Sequence, residues 1–366
     1  MNKTAINNED GLRPSMSARS DVGIATTGLI NVAGHIIGAG RTFMIADVGS
    51  NHKQDIQIAY ESIDAAADAG ADAVKFQSLQ VEQLYLNPGA AIRALHKQID
   101  LEEDWHAKLK EHCEKRGVLF FSSPTYFAAV DLMESIGVPL YKLASAQVGT
   151  FPQLVERVAR TGKPVILSTG LVSLGGLEAC IRIFNAAGNS KFIILHCNSI
   201  YPTPYAKVHL PLMRLYQDIF CCPVGYSDHT EDIFVSLAAV SNGASVIEKH
   251  FTLRRDFETP DAALAMEPLE FSYLTRGVRA IEQALQPHRR IDIEPEEATF
   301  KESIRYRLVL ARSKKTGDRF AAEDFFFLRD ASGIDCVDCA HIIKHFVLNQ
   351  DLSKGCRLDW KMLTGI

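Results

Sequence analysis

Short apolar runs alternate with longer amphipathic stretches from residue 43 onward. Eight of these runs are rich in β-branched and aromatic residues and stay apolar at consecutive positions, which is typical of strands buried on both faces. A segment with helical spacing follows each run, so the pattern predicts repeated strand–helix units. The predicted strands are Phe43–Val48, Ala73–Gln77, Val118–Ser122, Leu140–Ala144, Val165–Ser168, Phe192–Cys197, Pro223–Ser227 and Ser245–His250.

The number of units favours one closed sheet. Eight strand–helix units in about 245 residues fit a (β/α)8 TIM barrel better than an open doubly wound sheet. Glycines such as Gly117 and Gly137 follow the predicted helices, where a left-handed residue commonly ends a helix. A helix over Pro268–Leu285 completes the count, and Ile30–Phe43, with three glycines, predicts a hairpin at the barrel floor.

Composition changes near residue 285 and divides the chain into segments. Two prolines and mixed charges in Gln286–Glu297 are typical of an exposed linker, and the residues beyond it return to short β-rich runs without a strand–helix period. We therefore predict a flexible tail (1–25), a TIM-barrel domain with its hairpin (26–285), a linker (286–302) and a small β-rich domain (303–366). The last is too short to bury a large core by itself.

Charge and cysteine usage narrow the class of protein. A formal net charge of −5 argues against nucleic-acid or anionic-membrane partners, which require a basic field. No apolar run is long enough for a membrane span, and the polar residues 1–22 do not resemble a signal peptide. Because most of the eight cysteines lie in apolar runs, we expect a reducing, cytoplasmic location. Cys336 and Cys339 have the spacing of a zinc half-site or redox motif, but no second pair accompanies them.

The candidate chemistry lies where the predicted strands end, which is the catalytic face of a TIM barrel. All eight strand ends are polar, a pattern that turn-forming residues explain in part. Lys75 and Lys142 are different, because they lie inside apolar strands and lysine is almost never buried unpaired. Together with the hydroxyl-rich strand ends, these two cations predict a site for a phosphate or carboxylate anion.

Two histidines end neighbouring strands. His229 and His250 would lie roughly 5 Å apart, close enough to share a divalent ion with positions left open for substrate. Each histidine by itself is also consistent with a hydrogen-bonded core residue. Asp47 and Glu248 are placed for general acid or base catalysis, or alternatively for orienting a lysine or histidine.

These motifs resemble the sialic acid (N-acetylneuraminate) synthases and the related enzymes that make legionaminic and pseudaminic acids. The resemblance runs from about residue 36 to the C-terminus, where the small domain is similar to the antifreeze-like (SAF) domain of that family. Its motifs are Ile45–His52, Ala69–Gln77, Tyr141–Ser145, Leu167–Gly170, Leu195–Pro204, Gly225–Thr230 and Glu248–Phe251.

The resemblance implies a reaction and its residues. Phosphoenolpyruvate would condense with an N-acylated hexosamine such as N-acetylmannosamine, with release of phosphate by C–O cleavage. His229 and His250 would bind a divalent metal, Mn²⁺ before Mg²⁺ or Co²⁺, and Asp47 and Lys75 would complete the catalytic set. The residues implied for phosphoenolpyruvate are Lys75, Gln77, Lys142, Ser145, Ser168, Ser199 and Ser227, and those for the sugar are Asn51, Tyr201, Asp261 and Arg329.

The sequence departs from the family pattern mainly in the sugar half of the site. Asp47 stands where many members have Glu, and Ser199, Gln147 and Ala262 replace Asn, Glu and His of some members. These differences leave the sugar open. A domain-swapped homodimer is also implied, with Arg329 reaching the partner's site. The alternatives are a related phosphoenolpyruvate-condensing synthase of 3-deoxy-sugar acids, and a non-catalytic sugar-binding barrel.

Overall fold

The computed structural model describes residues 28–287 and 291–366. The predicted tail, 1–25, lies outside these residues. The chain divides into two compact units, the first ending at Gln286 and the second beginning at Pro287. Within the described part of the chain, no helix combines the length and apolar character that a membrane crossing needs.

The first unit is built on a hairpin and an eight-stranded parallel sheet. Strands β3 to β10 lie in the order β5-β4-β3-β10-β9-β8-β7-β6, and β5 and β6 lie side by side at the two ends of this order. The nearly closed sheet confirms the predicted TIM barrel. The strands are β1 Ile30–Val32, β2 His35–Ile37, β3 Phe43–Gly49, β4 Ala73–Ser78, β5 Leu119–Pro124, β6 Tyr141–Leu143, β7 Val165–Ser168, β8 Phe192–His196, β9 Val224–Asp228 and β10 Val246–His250.

Helices cover the outside of the barrel. They are α1 Ile56–Asp68, α2 Val81–Leu84, α3 Ala90–Ile99, α4 Glu103–Arg116, α5 Phe127–Ile136, α6 Ser145–Thr150, α7 Pro152–Ala159, α8 Leu174–Ala186, α9 Leu212–Phe220, α10 Phe234–Ser241 and α11 Pro268–Ala284, with 3-10 turns at Tyr205–Lys207 and Ala262–Leu264. Asp55 caps α1 by accepting a hydrogen bond from the Gln57 amide. Gly117 and Gly137 end α4 and α5 in the left-handed conformation, as their sequence positions predict.

The interior of the barrel has an apolar lower layer. Alternate strand residues point inward, and those nearest the amino ends pack with the hairpin residues Ile30, Val32 and Ile37. The inward residues of this layer are Phe43, Ile45, Ala73, Phe121, Leu140, Ile166, Ile193, Leu195 and Val246. The antiparallel hairpin β1–β2 thus belongs to the same core as the barrel floor.

The second unit has its own small core. Helix α12 Pro295–Ser303 lies mostly within the predicted linker, so that segment is partly helical. Pro295 and the acidic Glu296 and Glu297 favour its first turn. Two antiparallel strand pairs follow. The first is β11 Tyr306–Leu310 with β12 Phe325–Arg329, and the second is β13 Phe346–Leu348 with β14 Leu363–Gly365. Helix α13 Cys339–His345 lies between the two pairs in sequence. Short 3-10 turns lie at Ala322–Asp324, Cys336–Asp338 and Trp360–Met362. The antifreeze-like identity of this unit stays a prediction.

Candidate active site

A polar layer lies directly above the apolar floor of the barrel. Side chains alternate between the two faces of a strand, so in most of the strands an inward apolar residue near the start is followed by an inward polar residue near the end. This layer consists of Asp47, Lys75, Gln77, Ser123, Lys142, Ser168, Ser227, Glu248 and His250. All of these side chains except Gln77 are buried.

The two buried lysines are both paired with carboxylates. Lys75 Nζ lies 2.6 Å from Asp47 Oδ2 and 3.5 Å from Glu248 Oε2. Lys142 Nζ lies 2.6 Å from Glu248 Oε1, which also accepts a 2.9 Å hydrogen bond from the Ser227 hydroxyl. The arrangement explains how two lysines are tolerated inside a barrel, because each ammonium has an opposite charge within hydrogen-bonding distance.

Burial and charge act on these groups in opposite directions. Burial disfavours the charged form of Lys75, but Asp47 and Glu248 outweigh it and raise the lysine pKa to about 12. Burial raises the pKa of Asp47, and Lys75 opposes it only in part. Against the effect of burial, Lys142 and Lys75 hold the pKa of Glu248 well below its usual range. Asp47 is thus the carboxyl group better suited to exchange a proton, and its Oδ1 is buried without a hydrogen-bond partner.

The predicted histidine pair is brought together. The rings of His229 and His250 stack with centroids 5.4 Å apart, and the ring of Tyr201 lies 4.3 Å from that of His229. His229 Nδ1 donates to the Asn198 carbonyl at 2.6 Å, so its Nε2 carries the lone pair. Burial lowers the pKa of His229 to about 4, which leaves the ring neutral at pH 7. A neutral imidazole with a free lone pair is the form that binds a metal ion.

His250 lies beside Asp47. Its Nδ1 is 3.5 Å from Asp47 Oδ2, too long for a good hydrogen bond, and the nitrogen has no other hydrogen-bond partner. Among residues 28–287 and 291–366, no three or more His, Cys, Asp or Glu side chains are grouped to hold a metal ion.

A second ion pair lies behind the histidines, on the outer face of the same strands. Lys249 and Asp228 are direct partners in the β9–β10 register, and Lys249 Nζ lies 3.1 Å from Asp228 Oδ2. The same ammonium donates to the Asp232 carbonyl at 3.0 Å and to the Thr230 carbonyl. Lys249 therefore anchors the loop that follows His229.

Two of the serines assigned to phosphoenolpyruvate, Ser145 and Ser199, lie around Gly170. Ser145 Oγ accepts a 2.9 Å hydrogen bond from the Gly170 amide. A Cβ atom at position 170 would lie 2.4 Å from Ser199 Oγ and 2.9 Å from Ser145 Oγ, so only glycine leaves room for both hydroxyls. Ser168 is buried at the end of the adjoining strand. The hydroxyls of Ser145 and Ser199 thus lie close together, near the ends of β6 and β8.

Another group lies around Gly49. A Cβ atom at that position would lie 3.4 Å from Gln77 Nε2, 3.5 Å from Asp47 Oδ1 and 3.7 Å from Asp261 Oδ2. Burial raises the pKa of Tyr201, and the nearby Asp261 carboxylate adds to the effect. Two residues assigned to the sugar, Tyr201 and Asp261, therefore lie close to each other and to the Asp47 carboxylate.

Asn51 and Arg329 are placed differently from the other assigned residues. Asn51 is fully buried, its amide nitrogen donating to the Phe251 carbonyl and its oxygen accepting from the Thr259 hydroxyl. Its amide therefore links two loops, and its assignment to the sugar stays a prediction. Arg329 ends β12 in the second unit, with its guanidinium 5.4 Å from the Tyr306 ring.

One of the two carboxylates named from sequence and one residue that was not named complete the set. Glu248, which the sequence left as an acid, a base or an orienting group, contacts both lysines. Ser123 faces the barrel interior, and its buried hydroxyl has no hydrogen-bond partner. Ser123 is the register partner of Gln77, and an unsatisfied buried hydroxyl at this level of the barrel indicates a group that binds a ligand.

Comparison with known proteins decides the family. The model of the NeuB family matches residues 62–290. The chain belongs to the NeuB family. This confirms the resemblance predicted from the strand-end motifs, and the NeuB-family residues of this chain include most of the polar layer.

Relatives of this NeuB-family chain cover most of its length. The N,N'-diacetyllegionaminic acid synthase of Campylobacter jejuni is 33% identical over 81% of this chain and 93% of the relative. The pseudaminic acid synthase of Helicobacter pylori is 33% identical over 66% of this chain and 74% of the relative. The crystal structure of N-acetylneuraminic acid synthetase from Leptospira borgpetersenii, in complex with citrate, superposes with a TM-score of 0.69 at 32% identity, covering 75% of this chain and 97% of that one.

Proposed function

We propose that this protein is a nonulosonic acid synthase that condenses phosphoenolpyruvate with an N-acylated hexosamine. The observation that carries the proposal is the pair of buried lysines, Lys75 and Lys142, which share Glu248 on the strand that ends in one of two stacked histidines. Relatives named for legionaminic, pseudaminic and N-acetylneuraminic acid support the product class.

The charge balance of the site supports a divalent metal ion. Lys75 and Lys142 are matched by Asp47 and Glu248, so the polar layer has no spare positive charge of its own. Phosphoenolpyruvate adds a carboxylate and a phosphate, the latter worth about −1.5 to −2 at neutral pH. The lone pair of His229 and the unpartnered Nδ1 of His250 fit a metal ligand set. A bound ion, Mn²⁺ before Mg²⁺ or Co²⁺, would supply positive charge and polarise the sugar aldehyde.

The residues of the chain suggest how the reactants are held. Lys75 and Lys142 bind the phosphate and carboxylate of phosphoenolpyruvate, with Gln77, Ser227 and the hydroxyls around Gly170 completing the anion site. In the reaction, carbon 3 of phosphoenolpyruvate bonds to the aldehyde carbon, whose oxygen takes a proton. Water adds at carbon 2, losing a proton to a base, and the C–O bond to phosphate breaks. Asp47 is the best-placed base, because its pKa is raised and its Oδ1 is unpartnered.

Phosphate release tests the function directly. The purified protein is incubated with Mn²⁺, phosphoenolpyruvate and a panel of N-acylated hexosamines that includes N-acetylmannosamine. We expect phosphate and a nine-carbon acid only when both substrates are present. Turnover with phosphorylated pentoses or tetroses in place of the hexosamines would instead assign a 3-deoxy-sugar acid synthase. Sugar binding without phosphate release from any mixture would assign a non-catalytic barrel.

We further propose a domain-swapped homodimer in which Arg329 completes the partner's sugar site. Support comes from each unit taken separately. In the second unit, β12 exposes Phe326, Phe327 and Leu328, an apolar edge that a partner would cover. In the first unit, large apolar side chains are exposed on loops at the catalytic face, among them Leu171, Ile200 and Tyr205.

The neighbouring acid does not neutralise this arginine. Asp330, the next residue along the chain, has its Oδ1 3.3 Å from a guanidinium nitrogen of Arg357. Within the described residues, the Arg329 guanidinium packs against the ring of Tyr306 and forms no ion pair, so it is available for a ligand.

Dimers formed from two different variants test the domain swap. Arg329→Ala and Lys142→Met chains are each expected to be nearly inactive as homodimers. Random mixing by co-expression leaves one intact site in each hybrid, so we expect about a quarter of the wild-type activity. The proposed domain swap would be contradicted if the protein is a monomer in analytical ultracentrifugation or if the Arg329→Ala enzyme is fully active. It would also be contradicted if mixed dimers form but recover no activity.

A further inference from the structure

The loop between β10 and α11, residues 253–265, carries Asp261 and is closed at its base. Thr252 donates from its amide to the Met266 carbonyl at 3.0 Å, and Met266 donates to the His250 carbonyl at 2.8 Å. The two ends of the loop are thus paired directly above the strand that ends in His250. The remainder of the loop needs other contacts to hold it over the barrel mouth.

One such contact is a buried hydrogen bond to the β3–α1 loop. Thr259 Oγ1 donates to Asn51 Oδ1 at 2.6 Å, across 208 positions of sequence. The Asn51 amide nitrogen donates to the Phe251 carbonyl at 3.0 Å, so one side chain binds both the tip and the base of the loop. Asn51 is fully buried, and Thr259 is 9% exposed. This pair is a clasp between the two loops.

A second contact comes from the same β3–α1 loop. Lys53 Nζ lies 5.0 Å from the ring centroid of Phe257, near the tip of the β10–α11 loop. Lys53 and Gln54 have φ angles of 52° and 55°, a left-handed conformation that non-glycine residues adopt only where surrounding contacts enforce it. The backbone of the β3–α1 loop is therefore shaped to present Asn51 and Lys53 to its neighbour.

The clasp lies close to the sugar half of the site. Asp261, two residues beyond Thr259, approaches Gly49, which is two residues before Asn51. Gln77 and Asp47 surround the same glycine. A shift of the loop by about one ångström would move the Asp261 carboxylate relative to the catalytic carboxylate, and displacements of that size are costly to bound geometry.

We infer that Asn51 and Thr259 are positioning residues that hold Asp261 over the acceptor half of the site and thereby set the affinity for the acceptor sugar. The inference rests on the proposed function for its substrate. It assigns Asn51 to a loop clasp rather than to the sugar, and it gives Thr259 a role that its sequence position does not suggest. The recognised group on the acceptor is a hydroxyl or N-acyl N–H, because a carboxylate only accepts hydrogen bonds.

The test compares Thr259→Val, which keeps the side-chain shape without the donor, with Thr259→Ser, which keeps the donor. Loss of one positioning hydrogen bond should raise the KM for the acceptor sugar about five- to tenfold in Thr259→Val. The KM for phosphoenolpyruvate should stay within about twofold, since the anion site lies on other strands. Thr259→Ser should retain wild-type values. In an Asp261→Asn background, Thr259→Val should add little, because both changes act through one interaction with the sugar.

Amide hydrogen exchange gives a readout that needs no substrate. Residues 253–265 should exchange faster in Thr259→Val than in Thr259→Ser or the wild type. The inference would be overturned if the loop amides exchange equally fast in all three proteins, or if Thr259→Val raises both KM values equally. It would also be overturned if Thr259→Val raises the KM for the sugar as much in the Asp261→Asn background as in the wild type. A wild-type protein that turns over no acceptor would refute the proposed function instead, and the exchange experiment would still decide whether the clasp holds the loop.

Discussion

Replacing His250 by Ala is expected to lower condensation by roughly a thousandfold and to abolish Mn²⁺ binding at the site. The imidazole lies at the end of β10 with its Nδ1 unpartnered and its ring stacked on His229, so its removal takes away a ligand rather than a structural hydrogen bond. Phosphate release and titration calorimetry with Mn²⁺ measure the two effects. The melting temperature should change little.

His196→Asn is the matched control for this variant. His196 is equally buried at the end of a barrel strand, but its Nε2 hydrogen-bonds the Val208 carbonyl, on the side facing the helices. The control should lose stability and keep its Mn²⁺ affinity. Full activity of the wild type after exhaustive chelation, or unchanged Mn²⁺ binding by His250→Ala, would remove the metal from the proposal.

Replacing Lys142 by Met should weaken phosphoenolpyruvate binding far more than sugar binding. The ammonium is buried, and its only ion pair among the described residues is with Glu248. Removing a charge-assisted hydrogen bond to the substrate in such a site should cost about 2–4 kcal/mol, which corresponds to roughly a 30- to 900-fold rise in the KM for phosphoenolpyruvate. The KM for the sugar should change by less than about threefold, as expected for a group that binds the other substrate.

Lys249→Met provides the matched control, because Lys249 is also buried and paired with a carboxylate, Asp228. Each substitution leaves a buried carboxylate with a missing partner, so each should destabilise the fold by about 3–5 kcal/mol. Only Lys142→Met should change the ratio of the two KM values. If both variants change it equally, the effect comes from reduced stability and the anion assignment is wrong.

Much of the barrel and its chemistry follows from local sequence. Consecutive apolar residues predict strands buried on both faces, and the two-residue period of a strand then fixes which side chains share a face. Since Phe43 and Ile45 face the floor, Asp47 must face the same interior, and the same argument places Lys75 inward after Ala73. The lysines and histidines of the site were predictable because such residue types are out of place in an apolar strand unless they are paired or bind a ligand.

Short or irregular segments were harder to predict. Helices α2 and α3 lie in the connection between β4 and α4. Helix α2 is a single turn, too short to show a helical period in the sequence, and it has no side-chain cap that would mark its start. Helix α12 lies in a segment whose prolines suggested a linker, although proline is common in the first turn of a helix.

Only the tertiary structure decided which of these polar groups meet. Lys142 and Glu248 are 106 residues apart and come from strands separated by three others in the sheet, so barrel closure alone brings them to 2.6 Å. Asn51 carries no sequence signal that separates a sugar contact from a loop clasp, because an amide suits either. Its buried hydrogen bond to Thr259, 208 residues away, forms only because the fold brings the two side chains together. The sequence by itself determined the residue types and the direction in which each strand presents them. Distances between groups on different strands depend on packing, and packing is a property of the whole chain.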